Sequence, residues 1–197
     1  MSEIRPQAAA TQEAEHAAVE TAILGGGCFW CLEAVFLEVE GVLGVQSGYT
    51  GGKLDSPSYR QVCAGNSGHA EVVKVDFDPA RIDYRTVLEI FFAIHDPTTP
   101  DRQGNDVGPQ YRSAIFTTTL AQHELATRLV AELNADDVFG RPVVTDVEPA
   151  PVFWPAEAEH DSYFTRNAHE PYCQYVIAPK LAKFRARFPA LRAGANG

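Results

Sequence analysis

Methionine is almost missing from this chain. The only one is Met1, so the body of the protein offers no thioether to oxidise. Long apolar runs are missing as well: none approaches the roughly 18 residues that a membrane-spanning helix needs. Basic residues are scarce, with 16 Lys and Arg against 26 Asp and Glu, a net charge of −10 and a pI near 5.0. That balance argues against a nucleic acid or an anionic membrane surface as partner. The start of the chain shows no basic-then-apolar leader pattern, so a cytoplasmic location is expected, where thiols stay reduced. Internal repeats and low-complexity linkers are absent. The cysteines number only four. They form one Cys-x-x-Cys pair without a second, and none of the histidines at 16, 69, 95, 123, 160 and 169 falls at zinc-ligand spacing from them. No metal and no bound cofactor are therefore expected.

What is present fits one soluble domain. The chain has 197 residues and is 45% hydrophobic, enough for a full core. Residues 1–19, rich in Ala, Glu and Gln, read as a flexible tail, 20–190 as a single catalytic domain and 191–197 as a flexible end. A strand is expected at 21–25 and a helix at 28–39, where Phe29, Leu32, Val35, Phe36 and Val39 recur at helical spacing. Strands follow at 42–49 and 69–77, a helix at 84–95, a polar loop from Asp96 to Gln110 and a strand at 111–118. The order is β-α-β-β-α-β, the split (ferredoxin-like) arrangement. The last third adds a helix near 120–134, a strand near 143–148 and short helices near 155–167 and 179–187. An α+β fold is expected, with helices on one face of a mainly antiparallel sheet, C-terminal helices and a loop-rich tail.

The most informative stretch is Gly25-Gly26-Gly27-Cys28-Phe29-Trp30-Cys31. A short strand runs into glycines, which permit a tight turn, and then into a cysteine at a helix start. There the unpaired N–H groups and the positive dipole end favour an anion, so Cys28 is expected to have a lowered pKa and to act as a nucleophile. Phe29 and Trp30 can wall an apolar pocket beside the sulfur. Glu71 comes next. Strand alternation puts it in phase with Val73, Val75 and Phe77. A carboxyl on that apolar face is desolvated, keeps its proton at neutral pH and can serve as a general acid.

Other residues could serve the same site. Tyr59 and Tyr111 each offer a neutral O–H donor. The loop from Asp96 to Arg112 is long enough to suggest function. Cys31, three residues after Cys28, is placed for a disulfide. Cys63 reads as a small core hydrophobe, and Cys173 as a loop thiol able to travel to Cys28. Two other readings stay open at this point: a thioredoxin-like dithiol oxidoreductase, and a non-catalytic redox or metal-binding module.

Gly27-Cys28-Phe29-Trp30, Gly48-Tyr49-Thr50-Gly51-Gly52, Tyr59-Arg60, Gly68-His69-Ala70-Glu71, His95-Asp96-Pro97, Arg102-Gln103-Gly104-Asn105-Asp106 and Gln110-Tyr111-Arg112-Ser113 follow one another in an order that resembles the peptide methionine sulfoxide reductase A family, over about residues 21–187. The resemblance implies thiol-dependent reduction of the S epimer of methionine sulfoxide, free or in proteins, with recycling by thioredoxin and no prosthetic group. It implies Cys28 as nucleophile, Phe29 and Trp30 around the substrate methyl, Glu71 as the acid, Tyr59 and Tyr111 on the oxygen, and Asp106 as a further acid of the site. A resolving cysteine is implied either in the position of Cys31 or in that of Cys173. Direct resolution by Cys31, with Cys173 relaying the disulfide outward, is the expectation. His160-Asp161 departs from the family pattern of His-Gln and is expected to change supporting contacts. A monomer is expected.

Overall fold

A computed structural model describes residues 18–194. The tail expected at 1–17 and the last residues, 195–197, lie outside the described residues. A six-stranded sheet runs in the order β7-β6-β1-β3-β2-β8. Its strands are β1 (Glu20–Gly26), β2 (Val42–Thr50), β3 (Ala70–Phe77), β6 (Ser113–Thr117), β7 (Asp146–Pro149) and the edge pair β8 (Trp154–Pro155). Every pairing is antiparallel except β6 with β7. The strand expected near 143–148 is thus present as β7. A separate small hairpin, β4 (Arg102–Gln103) with β5 (Asp106–Val107), structures the polar loop.

Alternation along the strands sorts the apolar residues by face. Ala22 and Leu24 of β1, Val73, Val75 and Phe77 of β3 and Ile115 of β6 face the main core. Phe29, Leu32, Val35 and Phe36 of α1 (Phe29–Phe36) meet them there, with Val87, Leu88 and Phe91 of α3 (Tyr84–Ile94), Leu129 of α4 (Leu120–Ala135) and Leu181 and Phe184 of α6 (Ala178–Arg187). The opposite face carries a smaller cluster, Ile23, Ala70, Val72, Ala114 and Phe116, covered by Ala150 and Phe153. Gly26 has a packing reason. A Cβ there would lie 2.8 Å from the Phe91 ring and 3.2 Å from His95, so a side chain would push α3 off the sheet.

Four expectations are corrected. The helix from residue 28 stops at Phe36, because Gly41, with φ +90°, and the turn before it carry the chain back to β2. The supposed loop around Tyr59 contains a short helix, α2 (Tyr59–Cys63), opened by a capping box between Ser58 and Gln61. In place of a helix over 155–167 there is β8, a 3₁₀ turn at Ala158–His160 and a single helical turn, α5 (Tyr163–Arg166). Part of the end expected to be flexible, residues 191–193, is tied down. Glu40 N–H donates to Leu191 O at 2.7 Å and Ala193 N–H to Glu38 O at 2.8 Å, tying the chain to the end of α1. Among the described residues no helix is long and apolar enough to cross a membrane.

Candidate active site

The site forms where β1 hands over to α1. Gly27 takes φ +92°, and a Cβ on it would come within 2.6 Å of the Gln103 side chain. Glycine is required on both counts. Gln103 in turn clasps the loop base: its Oε1 accepts from Asp96 N–H and its Nε2 donates to Asp96 O, both at 3.0 Å. This clasp brings the β4–β5 hairpin over the start of α1.

Cys28 is the N-cap of α1 and is 7% exposed, and its side chain accepts no helix amide. The first amide of the helix goes elsewhere: Phe29 N–H donates to Glu71 Oε2 at 3.2 Å. The expected lowering of the Cys28 pKa is therefore corrected. Burial raises it well above the ordinary thiol value, and the adjoining Cys31 and the charge of Glu71 add to the rise. Cys31, also buried, moves the other way, to about 7, chiefly because its sulfur accepts a hydrogen bond from Cys28. In this thiol pair Cys28 holds its proton and Cys31 is the readier of the two to release one.

Glu71 is 1% exposed, and burial raises its pKa to about 8, with the charges of Asp106 and Cys31 adding to the shift. It is a neutral acid at pH 7, as its strand phase suggests. One oxygen takes the Phe29 amide, and the other, Oε1, has no hydrogen-bond partner. A buried polar atom without a partner is costly, and this one lies beside the only N-cap thiol.

Aromatic rings enclose the space beyond the sulfur. The Phe29 ring centroid lies 6.1 Å from that of Trp30 and 6.2 Å from that of Tyr59. Trp30 is stacked on Tyr163, with centroids 3.7 Å apart and planes 7° from parallel, and Tyr172 meets it edge-on at 6.0 Å. Trp30 Nε1–H donates to His160 Nδ1 at 3.2 Å. That bond leaves the His160 proton on Nε2, which faces Glu157 Oε2 at 3.7 Å. Glu157 also accepts from Tyr49 Oη at 2.9 Å and from Tyr59 N–H at 2.8 Å. Burial raises the pKa values of Tyr59 and Tyr111, so both remain O–H donors. The charges of Glu71 and Cys28 both bear on Tyr111.

The structure thus brings together Cys28, Glu71, Phe29, Trp30, Tyr59, Tyr111, Asp106 and Cys31. It also adds Tyr172, which the sequence reading missed. Its hydroxyl donates to Asp106 Oδ2 at 2.8 Å and lies within hydrogen-bond reach of both Cys28 and Cys31. The only sequence sign was its place next to Cys173. Cys173 itself is not on a free loop. It is wholly buried at the start of a π-helical turn, Cys173–Ile177, that leads into α6. Cys63, expected in the core, is exposed and bonds to the Tyr59 hydroxyl. Among the described residues no group of three or more His, Cys, Asp or Glu is placed to hold a metal ion.

Comparison with known proteins agrees over nearly the whole described chain. The family model for peptide methionine sulfoxide reductase matches residues 20–191. The peptide methionine sulfoxide reductase MsrA of Chromobacterium violaceum is 59% identical over 173 residues, covering 88% of this chain and 98% of the relative. Among solved structures, reduced Mxr1 from Saccharomyces cerevisiae superposes with a TM-score of 0.73 at 33% identity, over 81% of this chain and 92% of that one. Methionine sulfoxide reductase A of Corynebacterium diphtheriae gives 0.69 at 35% identity, over 80% of this chain and 78% of that one.

Proposed function

The chain belongs to the peptide methionine sulfoxide reductase A family of oxidoreductases, and we propose that it reduces the S epimer of methionine sulfoxide, free and in proteins, through Cys28 and Glu71. One observation carries this reading: a buried neutral carboxyl with an unpartnered oxygen stands against the N-cap thiol, beside an aromatic cage. A sulfoxide has a methyl on sulfur for the cage and an oxygen for the acid. Phe29 and Trp30 take the methyl. Glu71, Tyr59 and Tyr111 donate to the oxygen. Holding both ends fixes which epimer presents its sulfur to Cys28.

The chemistry balances within these groups. Glu71 gives its proton to the sulfoxide oxygen. Cys28 sulfur attacks the substrate sulfur, and its own proton refills the Glu71 carboxylate. The S–O bond breaks, the hydroxyl passes to Cys28 as a sulfenic acid, and the thioether leaves reduced. The raised Cys28 pKa suits this sequence, because the thiol proton departs only when a protonated sulfoxide makes the sulfur electrophilic. A neutral Cys28 also avoids placing a thiolate against Glu71 at rest.

Cys31 then resolves the sulfenic acid. It is already hydrogen-bonded to Cys28 and is the more acidic thiol. Its sulfur displaces the hydroxyl, which takes the Cys31 thiol proton and leaves as water, and a Cys28–Cys31 disulfide forms. Cys173 follows: the Cys31 charge bears on it, and it takes over Cys31 by exchange and frees Cys28. Thioredoxin, supplying an external dithiol, reduces the resulting bond, as the family resemblance implies. The catalytic unit is a single domain over residues 20–190, built on the split β-α-β-β-α-β arrangement that the order β6-β1-β3-β2 fits. It works as a cytoplasmic monomer without metal or prosthetic group.

Two measurements test this. With dithiothreitol as reductant, the S epimer of a methionine sulfoxide peptide should be consumed and the R epimer left untouched; equal rates on both would remove the reading. After one equivalent of sulfoxide, peptide mapping of the quenched enzyme should find Cys28–Cys31 first and Cys31–Cys173 later. If Cys28–Cys173 forms first, the proposed order is reversed.

A further inference from the structure

Glu33 lies in the same helix as the cage residue Trp30, one turn further on, and it is a buried carboxylate that the proposed chemistry leaves unused. It is 2% exposed. Its Oε1 accepts from Ser162 N–H at 3.0 Å and its Oε2 from Tyr163 N–H at 3.3 Å. Both amides lie 129 or more residues along the chain, at the start of α5. Ser162 makes no side-chain cap of its own and sits at φ 50°, ψ 38°, the left-handed region that a non-glycine residue enters at a cost. A buried charge and a strained residue are both unfavourable alone. Here each answers the other, since the carboxylate fills the two amides that the left-handed turn directs at it.

The residue so held is Tyr163, whose ring is the platform for Trp30 at 3.7 Å and 7°. Residues three apart on a helix share a face. Glu33 and Trp30 therefore grip Tyr163 from one side, Glu33 by the backbone and Trp30 by the ring. We infer that Glu33 is a positioning residue: by locking the Ser162–Tyr163 turn it sets the plane of the Trp30 indole, and through it the shape of the pocket for the sulfoxide methyl. The role rests on the reading of Trp30 as a cage residue, and it predicts a defect in substrate recognition with the thiol chemistry left intact.

The experiment uses the full chain in a Trp154→Phe background, which leaves Trp30 as the sole tryptophan. Glu33→Gln keeps the shape but turns an NH₂ group toward one of the amides. Loss of that buried bond should raise KM for the sulfoxide peptide about 10-fold. kcat should stay near the parent value, and the acrylamide quenching of Trp30 should rise. Ser162→Gly relieves the left-handed strain, so adding it to Glu33→Gln should return KM and quenching most of the way. Tyr163→Leu, which spares Glu33 and both backbone bonds, should reproduce the KM and quenching defects even if Glu33→Gln folds poorly. Unchanged KM and quenching in Glu33→Gln, an equal defect in kcat, or no recovery with Ser162→Gly would overturn the inference. Trp30→Ala separates it from the reading beneath: unchanged KM there would remove Trp30 from the cage, while the quenching result still reports whether Glu33 holds the stack.

Discussion

Cys28→Ser should show no turnover on any sulfoxide, with either dithiothreitol or thioredoxin as reductant. The reason is the atom itself. A serine hydroxyl is nearly isosteric, but it is a far weaker nucleophile toward sulfur and cannot end as a sulfenic acid. Nor can the neighbouring thiol substitute. Cys31 lies one helical turn further in, wholly buried, and owes most of its acidity to the bond from Cys28. Removing that donor should carry the Cys31 pKa back up from about 7 toward the ordinary thiol value, with burial now the leading influence. The pH dependence of Cys31 alkylation should therefore shift upward in Cys28→Ala. The variant should still fold, since the substitution touches no hydrogen bond of the cap: the Phe29 amide remains on Glu71. Single-turnover assays for released thioether give the decisive reading. A Cys28→Ser protein that still forms one equivalent of methionine would remove Cys28 as nucleophile and make Cys31 or Cys173 the sulfur to examine.

The same cysteine shows how far the sequence could be read. The glycine turn, the helix start and the adjoining aromatics were legible because each leaves a local mark: runs of glycine, helical spacing and strand phase. The phase of β3 alone placed Glu71 on the core side, and with it the raised pKa. The sign of the Cys28 shift was not legible, because its largest cause is burial, to 7% exposure, which no local pattern records. The hydrogen bond with Cys31 adds to it. The Phe29 amide, a donor that would favour a thiolate, goes instead to a carboxyl from 42 residues away. Helix-end electrostatics amount to about half a charge, and desolvation together with a carboxyl neighbour outweighs them. Tyr172 and Glu33 escaped for a related reason. Each acts through a partner across long sequence distance, Asp106 at 66 residues and Ser162 at 129. Cys173 was misread as free because its flanking Pro171 and Gln174 look like loop residues, whereas the π-helical turn buries it against α1. The short helix α2 could have been found: Ser58 and Gln61 stand at capping-box spacing, a signal that needs no tertiary information.

Glu71→Gln should bind substrate normally and slow the first step by about 10²–10⁴-fold, the usual contribution of a positioned general acid. Glutamine keeps a donor pointed at the sulfoxide oxygen but has no proton to give, so the comparison isolates transfer from hydrogen bonding. The pH profile sharpens it. The folded pKa is raised from the ordinary 4.5 to about 8, and the reactive form is the protonated one. Sulfenic acid formation in a single turnover should therefore be level through neutral pH and fall as pH rises through about 8. In Glu71→Gln that alkaline fall should vanish along with most of the rate. Asp106→Asn offers a check on the cause. The Asp106 charge adds to burial in raising the Glu71 pKa, so its removal should move the alkaline fall to lower pH. Because the Asp106 carboxylate also accepts from Tyr172 at 2.8 Å, asparagine is the better replacement, since its amide oxygen preserves that bond. A first step unchanged in Glu71→Gln would strike this carboxyl from the mechanism. A lost rate combined with an unmoved alkaline limb would instead assign the fall above pH 8 to another group, with Cys28 the first to test, since its thiol is the other proton the step must move.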